Sequence, residues 1–327
     1  MNNERVIKWL LEEDQPSVRY YTLVDILGRK ADDPDVKGAY SKIPRKGWAE
    51  DILRLQKPKG YFEPHEPTTL RGWLQFLHFP EYLSTIWRAI VLADLGLTSK
   101  CKRIREIADL IFDYKLRLGS PCNFFTEEPC IVGNTARMLT RFGYADDYRV
   151  QKLYDRLLED QKEDGGWNCF QSDRGTLDNW EPLAAYATLP KPKRSRKIEQ
   201  SISRGAEFYL ERKLFKEGKR KYVPWFRFHY PVHYYYDILV GLDVITKLGY
   251  AHDKRLEPAL KILKDKRQSD GTWLLDRVHP DLGVGANHDL LIRRKKIRPF
   301  ALEDPGKPSK WITLTALRVL KRVRDGS

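Results

Sequence analysis

One short segment of the chain concentrates side chains that could move protons. Residues 225–237 read WFRFHYPVHYYYD and hold two histidines, four tyrosines and an aspartate. His233, Asp237 and Gly241 recur at intervals of four, so in a helix they would share one face, with Tyr236 beside them. This spacing predicts an acid/base pair in which Asp237 orients His233. A polar network that only satisfies buried groups would use the same residues.

The candidate site extends beyond this pair. Tyrosine hydroxyls can donate hydrogen bonds, and tryptophan faces can stabilise a cation. The candidate catalytic residues are His233, Asp237, Tyr236, Tyr230 and His229. The candidate ligand-binding residues are Trp180, Trp225, Arg227, His78, Asn134 and His288.

The sequence predicts no metal site. His229 and His233 are spaced as two metal ligands on a helix could be, but no third ligand is identifiable. The four cysteines, at positions 101, 122, 130 and 169, are far apart and form no CxxC or Cys-His pattern. This spacing favours neither a disulfide framework nor zinc, so we expect free thiols and can name no cofactor.

A repeated turn indicates which elements position these residues. Segment 161–167 reads QKEDGGW and segment 267–273 reads RQSDGTW, and each follows a Gly-Tyr-Ala-x-Asp-x-Arg motif that begins at Gly143 or Gly249. The same offset separates the two turns and the two motifs, so the chain contains tandem units. Between motif and turn the apolar residues have helical spacing, and the motif's aspartate is placed to cap that helix.

A helical hairpin repeats along the chain. The second helix of each pair is predicted to begin near a proline and to end at a Gly or Pro stop signal. The predicted pairs span residues 3–28, 46–95, 102–142, 148–189, 197–248 and 254–322. Six pairs can close a ring, and there is almost no strand signal. We therefore expect one all-α domain over residues 1–327, with an (α/α)6 toroid fold.

The turn resembles a known repeat. Segment 161–167 fits the pattern Q-x3-G-x-W, segment 267–273 has arginine in place of the glutamine, and segment 56–62 ends in phenylalanine. This pattern resembles the QW repeat of squalene and other terpenoid cyclases and the related repeats of protein prenyltransferase β subunits. The resemblance covers about residues 46–275 and implies an α/α toroid with an aromatic central cavity. It bears on the fold more directly than on an activity.

The chemistry of those families does not carry over residue by residue. The sequence has neither the DxDD motif that protonates an alkene in class II terpenoid cyclases nor a diphosphate-ionising DDxxD motif. Zinc of the prenyltransferase type would need an Asp-x-Cys pair and a histidine after these turns. The nearest match, Trp167-Asn-Cys169, lacks the aspartate. The residues therefore leave open whether the protein is an enzyme.

Ring geometry predicts where a site would lie. If all second helices run in one direction, their N-termini gather at the end that holds the turns. Six of the seven histidines fall in or near those connections. Helix N-termini also attract phosphate and carboxylate groups. We therefore expect the ligand to enter at the N-terminal ends of the second helices.

The charge of the chain leaves more than one function open. The formal net charge is +14, with basic runs in segments 191–197, 216–221 and 293–298. The first hypothesis is a terpene cyclase-like or prenyltransferase-like toroid that binds an apolar, isoprenoid-like or diphosphate-bearing small molecule in its cavity. The alternative is a nucleic-acid-binding or DNA-processing protein that uses a basic rim, and the same loops could attract anionic lipid. A third is an interaction platform whose cavity is filled by its own side chains.

The N-terminus has charges throughout and lacks the apolar core of a signal peptide. No stretch is long and apolar enough for a transmembrane helix. We therefore expect a cytoplasmic protein without a transmembrane segment.

Overall fold

The structure is a computed structural model of the 327-residue chain. It describes residues 3–69, 72, 82–120, 123–217, 221–233, 235–278 and 300–325. Within these ranges the regular elements are α-helices with short 3₁₀ and π turns, and extended pairing is limited to isolated bridges. The prediction of an all-α protein is confirmed for this part of the chain. Candidate residues His78 and His288 lie outside the described residues.

The α-helices follow the predicted hairpins. In chain order they are α1 (Asn3–Leu10), α2 (Pro16–Tyr21), α3 (Pro34–Lys42), α4 (Trp48–Leu53), α5 (Thr85–Asp94), α6 (Lys102–Tyr114), α7 (Pro129–Phe142), α8 (Tyr148–Asp160), α9 (Glu181–Thr188), α10 (Arg196–Glu211), α11 (Ile238–Ile245), α12 (Glu257–Asp265) and α13 (Lys310–Asp325). Each predicted pair contains a first helix (α1, α4, α6, α8, α10 or α12) and a second helix (α2, α5, α7, α9, α11 or α13). Helix α3 is an addition to the prediction, capped by the Asp33 side chain and started by Pro34.

The first helices are amphipathic, and their caps repeat. Helix α8 buries Val150, Leu153 and Leu157 on one face. Asp147 caps α8 by accepting from the Arg149 N–H at 2.9 Å. Asp253 accepts from the Arg255 N–H at 2.9 Å and caps the 3₁₀ turn Lys254–Leu256, which leads into α12. The capping prediction is confirmed for α8, and in the second copy the aspartate caps this turn instead of the α-helix.

The repeated turn has one hydrogen-bond pattern in all three copies. Backbone N–H groups of Lys57, Lys162 and Gln268 donate to the carbonyl four residues later at 2.8–2.9 Å. The indole N–H of Trp167 reaches back to the Leu157 carbonyl at 2.9 Å, and the indole of Trp273 makes the equivalent bond to Leu263 at 2.8 Å. The tryptophan therefore ties the turn to the C-terminal half of the preceding first helix.

Two features of the turn require glycine, namely its positive φ angle and its close approach to a neighbouring helix. Gly165 has φ +87°, and a Cβ there would lie 2.4 Å from the backbone oxygen of Arg204 on α10. Gly60 has φ +91°, and a Cβ there would lie 2.5 Å from the Glu106 backbone on α6. Each turn therefore packs directly against the first helix of the next pair, which only glycine permits.

The second helices contact one another in the order α5, α7, α9, α11, α13 and α2. All ten residues of α5 are buried. Contacts run from α5 to α7, from α7 to α9, from α9 to α11, from α11 to α13, and from α13 to α2. The last contact joins the two ends of the chain, and there the Lys310 ammonium binds Glu12 at 2.8 Å and Asp14 at 2.6 Å.

A candidate ligand cavity

A cavity of about 860 Å³ lies among the second helices. Residues of α2, α5, α7, α9, α11 and α13 all contribute to its wall, together with segments 31–40, 96–100 and 229–232. A volume of this size is in the range of small-molecule binding sites. The cavity is therefore the first candidate for a functional site.

Basic side chains outnumber acidic ones on the cavity wall by eight to four. The basic residues are Lys37, Lys100, Arg137, Arg141, Lys247, Arg318, Lys321 and Arg322, and the acidic ones are Asp25, Asp94, Asp237 and Asp243. Because charges in a low-dielectric enclosure interact strongly, this excess gives the cavity a positive field.

Three of the acids are already neutralised by arginines. Arg137 binds Asp94 at 3.3 Å, and Arg141 binds the same carboxylate. Arg318 binds Asp25 at 2.6 Å.

The third acid is Asp243 on α11, which Arg322 of α13 binds at 2.8 Å. Burial acts to raise the pKa of Asp243, but Arg322 and Arg318 outweigh it and the pKa is lowered. The acids therefore hold the arginines in place and stay ionised.

Lys247 is a cation of the cavity wall without a bound partner. Its ammonium makes no hydrogen bond or ion pair with the described residues, and the same holds for Lys37 and Lys100 on the same wall. The Lys247 side chain is accessible to water although protein surrounds it, which is the environment of a group that points into a cavity. Burial lowers the pKa of Lys247 to about 7, and the nearby Arg141 lowers it further than Asp243 restores it.

His229 and Asp237 form a buried pair on the same cavity wall. The His229 Nδ1 atom lies 2.7 Å from Asp237 Oδ2, which also accepts from the His229 backbone N–H at 3.0 Å. In the neutral imidazole, Nδ1–H donates to the carboxylate and Nε2 is left with a lone pair. His229 Nε2 is buried without a partner. This arrangement suits a histidine that accepts a proton at Nε2.

Other buried polar atoms on the wall also lack partners. They are the Tyr230 hydroxyl, the Trp180 indole N–H and the Arg137 Nε–H. Tyr230 stacks on Trp311 with ring centroids 4.5 Å apart, and the Arg137 guanidinium lies 5.1 Å from the Trp180 ring. Since buried polar groups are almost always hydrogen-bonded, these atoms point to a ligand or water in the cavity.

The predicted His233–Asp237 pair is wrong. Asp237 pairs with His229 instead, and its Oδ1 atom caps α11 by accepting from the Val240 N–H at 2.9 Å. His233 lies before the helix, at φ +52°, and stacks on Tyr82 with ring centroids 4.1 Å apart. The expected single helix face does not exist because α11 begins only after Asp237.

Residues from both ends of the second helices line the cavity. Asp94 ends α5, Arg141 is near the end of α7, and Lys247 follows α11. Asp237 and Trp311, in contrast, lie at the N-terminal ends of α11 and α13. The predicted entrance at the N-terminal ends of the second helices stays a prediction.

The other candidate residues separate into two groups. His229, Tyr230, Asp237 and Trp180 line the cavity, whereas His233, Tyr236, Trp225, Arg227 and Asn134 do not. The Tyr236 hydroxyl donates to the Leu214 carbonyl at 2.8 Å, and a Cβ at Gly241 would lie 2.2 Å from that hydroxyl. The Trp225 indole donates to Asp178 at 2.6 Å. These two residues therefore pack between elements.

Asn134 supports the site from outside the cavity. Its amide donates to the His233 carbonyl at 2.9 Å and accepts from Arg137 at 2.9 Å. Arg227 follows a 3₁₀ turn, Val223–Phe226, and is half-buried. Asn134 thus fixes an arginine that does line the cavity.

Sequence reasoning missed the charged residues of the wall. Arg137 with Arg141 on α7, and Arg318 with Arg322 on α13, are each one turn apart. For α7, which is almost entirely buried, two arginines at helical spacing could have indicated the site, because charged residues are rarely buried unless they are paired.

No protein-family model matches the chain, and no curated protein matches it. Within the described residues, no helix combines the length and the apolar character needed to cross a bilayer. The geometry of the cavity is therefore the basis for a functional assignment.

Proposed function

We propose that the six helix pairs close into an (α/α)6 toroid whose central cavity binds a small molecule with a phosphate or diphosphate group. The chain of contacts through the second helices, and the contact of α13 with α2, support ring closure. The Q-x3-G-x-W turns, which share one hydrogen-bond pattern, support a repeating architecture of the cyclase and prenyltransferase kind.

The observation that carries the ligand class is the unmatched Lys247 among Arg141, Arg318 and Arg322. The nearby acids are each already bound by an arginine, so an additional anion would meet uncompensated positive charge. Arginine and lysine recognise phosphate through charge-assisted hydrogen bonds. A purely apolar ligand would leave the lysine and the unpartnered polar atoms unsatisfied, which is costly.

The aromatic residues suit the rest of the ligand. Tyr21, Trp180, Tyr230 and Trp311 line the same cavity. Burial raises the pKa of Tyr21 to about 12, so its hydroxyl is a neutral donor at physiological pH. A molecule with an anionic head and a flat or apolar body would use both parts of the wall.

The His229–Asp237 pair gives this site a means of moving a proton. Asp237 fixes the tautomer of His229, and the free Nε2 atom can accept a proton from a bound molecule. We propose this pair as the acid/base of any reaction in the cavity.

A panel of probes in isothermal titration calorimetry tests the ligand class. We expect inorganic pyrophosphate and a prenyl diphosphate to bind, and the corresponding prenyl alcohol to bind far more weakly. Equal binding of alcohol and diphosphate would contradict the proposal. Steeply salt-dependent binding of a single-stranded oligonucleotide, without diphosphate binding, would favour the nucleic-acid alternative.

A further inference from the structure

Two cysteines that are far apart in the sequence meet in the fold. Cys130 lies in the first turn of α7 and Cys169 follows the Trp167 turn, yet their Sγ atoms are 3.1 Å apart. Both are free thiols. Glu128 lies beside them, with its Oε2 atom 3.7 Å from Cys130 Sγ. The three possible ligand atoms all lie within 4.8 Å of one another.

Glu181 supplies an independent observation at the same place. Its side chain is fully buried, and both carboxylate oxygens lack a hydrogen-bond partner. A Cβ at Gly133 would lie 2.9 Å from the Glu181 Cβ atom, and Gly133 is one turn after Cys130 on α7. The carboxylate interacts electrostatically with both thiols.

A buried carboxylate without a partner is costly for the fold. A cation bound beside it would reduce this cost, because opposite charges attract strongly in a buried site.

Asn179 holds Cys169 in a defined position. Its side-chain oxygen accepts from the Cys169 backbone N–H at 2.9 Å, and its amide nitrogen lies 2.8 Å from Cys169 Sγ. Hydrogen bonds to a ligand from outside the metal site orient that ligand.

We propose that Cys130, Cys169 and Glu128 bind a thiophilic divalent metal ion, for which Zn²⁺ is the best match, and that the buried Glu181 carboxylate supports the site from outside the ligand set. Two thiolates and one carboxylate leave a fourth position for water, and thiolate ligands select zinc over harder cations. With Zn–S bonds of about 2.3 Å, two thiolates in a tetrahedral site lie roughly 3.7 Å apart, so the sulfurs need to separate by about 0.6 Å. Glu128 is exposed and leaves an entry path. This site does not depend on the function proposed for the cavity.

Metal analysis of the full chain, purified without chelators, tests the site. We expect one zinc ion per chain in the wild type and its loss in Cys130→Ser and Cys169→Ser. Cys101→Ser, a free cysteine elsewhere in the fold, is the matched control and should keep the metal. Glu181→Gln should weaken zinc binding by roughly 10- to 100-fold.

Cobalt substitution of the wild type gives a second measurement that does not require the variants to fold. We expect a thiolate-to-cobalt charge-transfer band. Wild-type protein that binds neither zinc nor cobalt, or a mass two daltons low from a Cys130–Cys169 disulfide, would overturn the proposal. So would metal loss in Cys101→Ser equal to that in the two other cysteine variants.

Discussion

At the scale of single residues, the basic side chains of the cavity wall differ in whether they have an ion-pair partner. Arg137, Arg141, Arg318 and Arg322 are all bound to aspartates, whereas Lys247 is not. Its lowered pKa, about 7, follows from burial and from the neighbouring arginines. The free protein therefore holds an amine that is poised to take up a proton when an anion enters.

Lys247 should couple anion binding to proton uptake. Below pH 7 the ammonium is already protonated, so binding takes up no proton there. Above pH 7 the free amine is neutral, and a bound anion raises its pKa and recruits a proton. The association constant should thus fall with rising pH, by up to about tenfold per unit.

Calorimetry in buffers of different ionisation enthalpy measures this uptake. Lys247→Gln is the control, because it retains the ionisation of the ligand itself and lacks only that of the lysine. Identical proton uptake in the two proteins at pH 8 would rule out a role for Lys247.

Asp237 accepts three hydrogen bonds, two from His229 through Oδ2 and one from Val240 through Oδ1. Asp237→Ala leaves the His229 backbone and ring N–H groups and the Val240 N–H without an acceptor, which should lower the free energy of unfolding by about 2–4 kcal/mol. Asp237→Asn retains one side-chain oxygen as an acceptor and should cost about half as much. Urea denaturation measures both, and equal stabilities of the two variants would show that the hydrogen bonds are not the cause.

At the scale of elements, the turns were the most predictable feature. Asp147 caps α8, as its motif predicts, and Asp253 caps the 3₁₀ turn that leads into α12. Trp167 and Trp273 are both completely buried. These features are local, so the sequence signals them directly.

The start of α11 was not predictable in the same way. Pro231 suggested a helix start, but the segment before Asp237 instead places His233 in a left-handed conformation against Tyr82. That conformation depends on packing against α5 and its surroundings. Likewise, Cys130 and Cys169 meet only because the first turn of α7 lies beside the Trp167 turn.

Glycine substitutions test the packing of the turn. Gly165→Ala combines a left-handed backbone with a contact of 2.4 Å to the Arg204 oxygen, whereas Gly119→Ala, at φ +78°, has nothing within 4 Å. Gly119→Ala should cost about 1–2 kcal/mol from the backbone alone, and Gly165→Ala about 1–3 kcal/mol more. Thermal or urea unfolding gives both values. Equal losses would mean that the turn does not need the close approach to α10.

At the scale of the whole molecule, the second helices bring residues from both ends of the chain to one cavity. Asp25 and Arg318 are 293 positions apart and form one ion pair there. Periodicity predicted the helix pairs but not which end of them would carry the charges, because that depends on how the pairs pack. Tyr230 and Trp311, which are 81 positions apart, stack on the wall of the same cavity.

The central claim is that an anion binds inside the cavity and not on the basic surface. The most direct test is the dissociation constant of inorganic pyrophosphate for Arg141→Gln beside that for Arg54→Gln, an exposed arginine whose side chain is 67% accessible. Loss of one charge-assisted contact should weaken binding to Arg141→Gln by at least about tenfold and leave Arg54→Gln within about twofold of the wild type. Equal affinities of all three proteins would contradict the claim.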